Sequence, residues 1–332
     1  MTSNLPLIRL SAVNPFLLEL RRRGLDPQPL LAELNLPGEI PASDDLFVES
    51  TTIYELVEKS AELAGDHFLG FAIGSQLDLS AWEPMAAATV RATSVGELLT
   101  MFSVNAAEHS TATKFFLSTD GGRSTFGLKR VKRPAIRPGQ NDAFYIGFML
   151  KLLKRATQEH WDASKVVFRV SDPACVPASN EAYRIAEGGR SGVQITFPSP
   201  WLFERFEKSR FQTGVGKGKS SEIPQSLVDS VRHALVPHLH KCDLTVDKAA
   251  KICGHDRRKL ARRLREEGTT LSKEIAHLRA TKAQEELEQS NQRIAEIGEH
   301  VGFTDPTVFS RAFKKWTGQS PQAYRRTHKI PG

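Results

Sequence analysis

The chain has 332 residues, 40% of them hydrophobic and 25% charged, with a formal net charge of +7. That length allows two or three domains with cores of their own, and no run of eighteen apolar residues is present to span a membrane. Three cysteines, Cys175, Cys242 and Cys253, are too few and too scattered for a disulfide framework. Residues 1–20 lack the basic start and unbroken apolar stretch of a signal peptide, so a cytoplasmic location is expected.

In chain order, apolar residues recur at helical spacing over 15–23, 51–64 and 95–109. Residues 114–119 and 124–131 read as two strands around Asp120-Gly-Gly-Arg123, whose glycines suit a hairpin turn. A further helix is expected over 139–158, with Phe144, Phe148, Leu152 and Leu153 on one side. Strands follow over 165–170 and 193–197, the last closed by Pro198 and Pro200. These elements imply an α+β domain over residues 1–211.

Residues 212–223 are rich in Gly, Lys and Ser and read as a flexible linker whose ends lie about 17 Å apart. Gly218-Lys219-Ser220 imitates the end of a phosphate-binding loop. The motif needs a glycine where Thr213 stands, and Pro224 interrupts the helix that should follow, so nucleotide binding is not expected there.

Charge separates the two sides of this linker. Residues 1–223 hold 25 Lys or Arg and 25 Asp or Glu, whereas residues 224–332 hold 20 and 13, so the whole excess of +7 lies in the last 109 residues. A solvated basic face is one reading, and a polyanionic partner is the other. The pattern after the linker is helical almost throughout. Leu227, Val231, Leu235 and Leu239 give a first helix one apolar face, bent or ended by Pro237. Residues 272–288 read as one continuous helix with Ile275, Leu278, Ala283 and Leu287 inward.

A weak repeat flanks that helix. Ala250, Gly254, Leu260, Leu264 and Gly268 are echoed 48 residues later by Gly298, Gly302, Phe309, Phe313 and Gly318. A small residue that lets two helices cross, a glycine at the turn and an apolar i, i+4 pair are the steric needs of a helix-turn-helix. Asp256 is placed to cap the second helix of the first unit. Thr304 or Asp305 caps that of the second unit, with Pro306 at its first position. The remaining faces are basic. The candidate DNA contacts are Arg257, Arg258, Lys259, Arg262 and Arg263 in the first unit, where Arg265 adds to the charge. In the second they are Thr307, Ser310, Arg311, Lys314 and Lys315. Lysine and arginine supply phosphate affinity, and arginine reads guanine edges in the major groove.

On these residues the segment 244–326 resembles the DNA-binding domain of AraC/XylS-type regulators. The stretch 294–326, opening Ile294-Ala-Glu-Ile-Gly-Glu-His-Val-Gly-Phe303, is the family's most specific part, and residues 257–268 match its first recognition helix. Asp256 stands where the family usually has a capping serine. More faintly, residues 61–70 and 193–202 resemble the sensor domain of an "arabinose-binding" subgroup. The resemblance implies double-stranded DNA as partner, RNA polymerase if the protein activates, and a homodimer. It also implies an N-terminal domain that senses a small-molecule effector. A partner-regulated or architectural DNA-binding protein, whose N-terminal domain binds protein, is the alternative.

Other constellations carry less. Lys129, Arg130, Lys132, Arg133 and Arg137 form a basic run. Arg130, Arg133 and Arg137 are candidate contacts to an anionic effector, and a solvated strand end is the alternative. Trp82, Trp161 and Trp201 are either pocket walls or core. Cys242, Cys253, His238, His240 and His255 cluster in sequence. Cys253 falls where a helix-turn-helix buries a small residue, and His238 and His240 flank a helix end, where imidazoles stay solvated. No metal site is therefore expected. No catalytic triad, carboxylate pair or cofactor loop is identifiable, so neither an enzyme nor a cofactor is expected.

Overall fold

A computed structural model describes residues 5–38, 40, 46–79, 82–178, 182–205, 224 and 226–328. The chain divides into two compact units, one of Pro6–Ile223 and the other chiefly of Pro224–Gly332. The linker expected over 212–223, with its Gly218-Lys219-Ser220 stretch, lies outside the described residues.

The first unit is α+β. It opens with β1 (Leu7–Arg9), α1 (Asn14–Arg22), α2 (Gln28–Glu33), β2 (Phe47–Glu49) and α3 (Ser50–Ala64). There follow α4 (Leu69–Gln76), α5 (Glu83–Arg91), α6 (Val95–Ala106), β3 (Thr113–Asp120), β4 (Arg123–Arg130) and α7 (Gly139–Thr157). It closes with β5 (Val167–Val170), β6 (Arg184–Glu187) and β7 (Gly192–Pro198). β1 and β2 make a small antiparallel pair, and the other strands form a sheet in the order β3-β4-β7-β5-β6. Within that sheet β5 and β6 run parallel, and the other pairs are antiparallel. The β3–β4 hairpin turns at Gly121 and Gly122, both in the left-handed region at φ 54° and 80°, as a two-residue hairpin turn demands.

α7 is the axis of this unit. It is buried on nearly every side, which explains why its sequence is apolar beyond a single stripe. α4 crosses it with backbones almost touching. A Cβ on Gly70 would lie 2.2 Å from the Gln140 carbonyl oxygen, one on Gly74 2.1 Å from that of Phe144, and one on Gly147 2.5 Å from that of Phe71. The contact is reinforced by Gln140, whose Oε1 accepts from the Gly70 N–H at 2.8 Å and whose Nε2 donates to the His67 carbonyl at 2.7 Å.

Five helices or strands of the first unit are absent from the sequence reading beyond α4, namely β1, β2, β6, α2 and α5. The first three are four residues or shorter, too short for a period to register. α2 and α5 carry a proline in their first turn, where it suits a helix start but reads in isolation as a break. α4 has glycines at positions 70 and 74, which weaken helix propensity; tertiary packing overrides that weakness. Elsewhere the expected ends shift by a few residues: α6 stops at Ala106 and β5 starts at Val167.

The second unit is all-α: α8 (Leu227–Leu235), α9 (Val246–Ile252), α10 (Arg257–Glu266), α11 (Leu271–Gln289), α12 (Ile294–His300), α13 (Pro306–Thr317) and α14 (Pro321–His328). Pro237 ends α8 in a single 3-10 turn, Val236–His238. Nineteen residues make α11 about 28 Å long. It packs against α8, α9, α12, α13 and α14, so both helix pairs, α9–α10 and α12–α13, hang on one strut. Ile275, Ala283 and Leu287 face inward as expected, whereas Leu278 is only half-buried. Arg232 clamps α8 to the buried Glu274 of α11 through a 2.7 Å ion pair.

Candidate nucleic-acid interface and ligand cavity

Each helix pair of the second unit is built as the repeat implies. Ala250 is buried at the α9–α10 crossing. At the α12–α13 crossing Gly298 faces the Phe309 ring, where an added Cβ would come within 3.2 Å. Gly254 and Gly302 take the turns at φ 62° and 81°. Gly302 is also hemmed in: a Cβ there would meet the carbonyl oxygens of Leu239 at 2.6 Å and Lys241 at 2.8 Å. Arg279 fixes the same corner. Its Nη2 donates to the Lys241 carbonyl at 3.1 Å while the guanidinium lies over the Phe303 ring, a cation–π contact.

The second helix of each pair is capped by an aspartate. Asp256 Oδ1 accepts from the N–H groups of Arg258 at 2.9 Å and Lys259 at 3.1 Å. Asp305 Oδ1 accepts from Thr307 at 2.6 Å and Val308 at 3.3 Å. These backbone bonds hold the Asp305 carboxyl below its usual range. Inward, Leu260 and Leu264 anchor α10, and Phe309 and Phe313 anchor α13 with exposures of 0%. Phe309, Phe313 and Tyr324 join Ala283, Leu287, Ile297 and Val301 in one core.

Outward lies the basic surface. Arg257, Arg258, Lys259 and Arg262 are exposed on α10, with Arg263 half-buried at the edge of that face. Arg257 pairs with Asp247 of α9 at 3.0 Å, a surface pair that a stronger anion would displace at little cost. On α13, Thr307, Arg311, Lys314 and Lys315 are exposed and Ser310 is half-buried. Sequence reasoning missed Val308, which is 49% exposed in the first turn of α13. An apolar side chain on a face otherwise polar fits a thymine methyl in the major groove. The signal was its place between Thr307 and the inward Phe309.

The expected solvation of His238 is corrected: it is 5% exposed, and burial together with the nearby Lys241 and His240 lowers its pKa to about 4. It closes the 3-10 turn after α8, where Leu239 is buried as well, so the helix end is enclosed and not in water. His240 and Cys242 are exposed, and Cys253 is buried in the helix-turn-helix core. Among the described residues no three His, Cys, Asp or Glu side chains gather as a metal site would need.

In the first unit the basic run is dispersed. Arg130 is fully buried and pairs with Asp142 at 2.5 Å; its guanidinium also donates to Asn141 Oδ1 at 2.9 Å and lies over the Tyr54 ring. Asp142 accepts from the Ser171 N–H at 2.8 Å as well. Burial raises its pKa while Arg130 opposes the rise. A charge paired this deeply holds β4 to α7 and does not face solvent. Arg133 is exposed, and Arg137 pairs with Glu187 at 3.4 Å on the surface. The three are not brought together at one site.

A cavity of about 120 Å³ lies instead among α1, α3, α6, α7, β3 and β4, walled by Phe16, Trp82, Phe102, Phe115, Phe144 and Phe148. The rings brace one another: Phe102 meets Phe115 at 4.7 Å, and Trp82 meets Phe148 at 5.5 Å. Trp161 and Trp201 stand apart, packed on each other at 5.4 Å. A second, wider cavity of about 320 Å³ shares Ala12, Trp82, Pro84 and His109 with the first and adds Arg9, Ser11, Asn14 and Asp78. One of its walls is Leu18, which is 61% exposed, so this outer cavity meets the surface. His109, which lines both, is held neutral. Burial and the neighbouring Arg9 lower its pKa to about 4.

Two basic-faced helix-turn-helix units on one strut, following in sequence an α+β domain with a cavity, define a class of two-domain regulators, and comparison with known proteins agrees. Residues 224–327 match the model of a helix-turn-helix domain, and residues 24–186 match that of the arabinose-binding domain of AraC transcription regulators, N-terminal part. The chain belongs to the AraC-type family. It is 31% identical over 98 residues to the transcriptional activator NphR of a Rhodococcus species, covering 30% of this chain and 29% of that one. It is 23% identical over 322 residues to the ornithine utilization regulator of Pseudomonas aeruginosa, covering 91% of each. Among solved structures it is similar to the C-terminal domain of AraT, a response regulator from Geobacillus stearothermophilus: 34% identity, 31% of this chain, 87% of that one, TM-score 0.30. Apart from the ornithine regulator, these curated matches are partial: the segment shared with NphR is under a third of that protein's length.

Proposed function

We propose that this chain is a sequence-specific DNA-binding transcription regulator, an activator governed by a small-molecule effector. Residues 224–332 bind the operator, 212–223 connect, and 1–211 sense the effector and pair two copies. As an activator it engages RNA polymerase, and it works in the cytoplasm without catalysis. No helix among the described residues is long and apolar enough to cross a membrane. The observation that carries this reading is the doubled construction of α10 and α13. Each is fixed inward by an apolar i, i+4 pair, capped at its start by aspartate, and basic on its outward face.

Operator binding tests it. Lysines and arginines on both faces release condensed counterions, so affinity should fall steeply with salt. Arg258 and Arg262 lie one turn apart on exposed α10, where they reach base edges. Replacing either by Ala should weaken operator binding by about 1–3 kcal/mol and relax base preference in one half-site. Lys315→Ala should weaken all sequences alike. An affinity that ignores salt, or an Arg258→Ala variant that discriminates scrambled half-sites as well as wild type does, would refute the proposal.

A further inference from the structure

The inner cavity of the first unit has a composition that names its occupant. Its walls are aromatic rings and aliphatic side chains, and several of the polar groups among them are already engaged. Thr113 Oγ1 donates to Ser110 Oγ at 3.1 Å, Ser110 Oγ also accepts from the Ala112 N–H at 3.0 Å, and Asn141 Oδ1 accepts from Arg130. Trp82 lines both cavities, and its indole N–H is buried without an acceptor among the described residues. A buried donor left unmade costs about 1–3 kcal/mol, so a ligand acceptor that reaches this N–H relieves that cost.

Size narrows the class further. An apolar space on the order of 150 Å³ takes a molecule of benzene size, and this half-open one measures about 120 Å³. A pentose would bring several hydroxyls into a chamber whose polar side chains are mostly committed, and each unpaired hydroxyl is penalised. A pentose does not match the walls of this first chamber.

We propose that the joined cavities are the effector site and that the effector is a compact molecule with one ring-sized apolar body and a hydrogen-bond acceptor. The body fills the chamber among Phe102, Phe115 and Phe148, and the acceptor meets the Trp82 N–H at the junction with the outer cavity. The outer cavity, with Asn14 and Asp78, is the route of entry. This rests on the effector-governed reading of the protein and adds the site and the ligand class to it.

The test uses the full-length protein and three probes: acetophenone, ethylbenzene of nearly the same shape without an acceptor, and L-arabinose. Acetophenone should raise the melting midpoint saturably and bind about tenfold more tightly than ethylbenzene, the ratio expected of one good hydrogen bond. Trp82→Phe should erase that ratio while ethylbenzene still binds. Ala12→Leu, which fills the junction, should abolish binding of both aromatic probes, with folding checked by circular dichroism. Stabilisation by arabinose and not by acetophenone would overturn the proposal. So would acetophenone binding to Ala12→Leu as to wild type, or an acetophenone preference that survives Trp82→Phe. Operator affinity separates the two levels. If a metabolite fraction changes it equally in wild type and Ala12→Leu, the site is wrong and the effector-governed reading stands. If acetophenone saturates the cavity and no metabolite fraction changes operator affinity, the cavity assignment stands and that reading falls.

Discussion

The helices of the two units begin differently. In the second unit α8, α9, α10, α11 and α13 each start at a side chain that accepts from the first-turn backbone: Ser226, Thr245, Asp256, Thr270 and Asp305. Among the described α-helices of the first unit only α3 and α6 do so, through Glu49 and Ser94. α1, α2, α4, α5 and α7 have no side-chain cap. The second unit is thus specified locally, element by element. The first is specified by contacts between residues far apart in sequence, such as Gly70 on Gln140 and Gly74 on Phe144.

The largest effect expected from this contrast lies in the second unit, where one side chain carries much of a small core. Phe309 is fully buried among Phe303, Phe313 and Gly298. Phe309→Ala should destabilise the unit by about 3–5 kcal/mol, and operator binding should be lost with it. Arg311→Ala, on the exposed face of the same helix, should lower affinity and leave the circular dichroism melt in place. If Arg311→Ala unfolded the unit and Phe309→Ala did not, the inner and outer faces of α13 would be reversed.

That face assignment was legible beforehand because it is periodic: Phe309 and Phe313 are one turn apart, and the cap and turn residues bracket them. The chamber in the first unit was not legible. Its walls come from Ile8 at one end of the sequence stretch to Phe148 at the other, and no local period links them. Trp82 was a candidate pocket residue from its type alone, but so were Trp161 and Trp201, which pack on each other away from the chamber. Arg130 shows the opposite failure. Its place in a basic run suggested a surface, and only the fold reveals Asp142 beneath it, twelve residues on.

Titration should separate the units next, with an effect on the order of 3 kcal/mol for a group shifted by two to three pH units. His238 is neutral when folded, its pKa lowered to about 4, so its contribution is present above about 6.5 and lost as pH falls toward 4. In the first unit His109 behaves likewise. Glu58 opposes it: burial raises this carboxyl to about 7, although the Gln140 N–H bonded to it pulls the other way. Its contribution is full below about 4.5 and lost as pH rises through 7. Between pH 7 and 4.5 the two offset each other in the first unit, while the second unit weakens. Hydrogen exchange, corrected for intrinsic rates, should show protection falling in α8–α14 and nearly level in α7. His238→Gln should flatten the slope in the second unit. A first unit that lost protection as steeply would break the comparison.

A smaller change tests the long-range contact directly. Gly74→Ala would ordinarily favour a helix by a few tenths of a kcal/mol to about 1. Here its Cβ would sit 2.1 Å from the Phe144 carbonyl oxygen, a backbone atom that cannot rotate aside. α4 and α7 must separate, at about 1–3 kcal/mol. Because Phe144 also lines the aromatic chamber, the same variant should weaken acetophenone binding. Exchange protection in α11–α13 should stay as in wild type. A neutral Gly74→Ala would mean that the α4–α7 crossing is not as close as the backbone places it.

The smallest effect probes the local specification of the second unit at α10. Asp256 satisfies two of the backbone donors that every helix start leaves open. Removing the acceptor in Asp256→Ala should cost about 0.5–2 kcal/mol, and Asp256→Ser should recover most of it, because serine caps nearly as well as aspartate. The two variants remove the same negative charge and differ in the acceptor alone. Their difference in melting midpoint therefore isolates the cap from the field of the neighbouring Arg257, Arg258 and Lys259. The counterpart in the first unit is Pro138, which precedes α7 with no side-chain cap. Installing serine there should stabilise α7 little, since packing on every side already fixes its first turn. If Pro138→Ser stabilised as much as Asp256→Ala destabilises, local and long-range specification would not be divided between the units as their helix starts indicate.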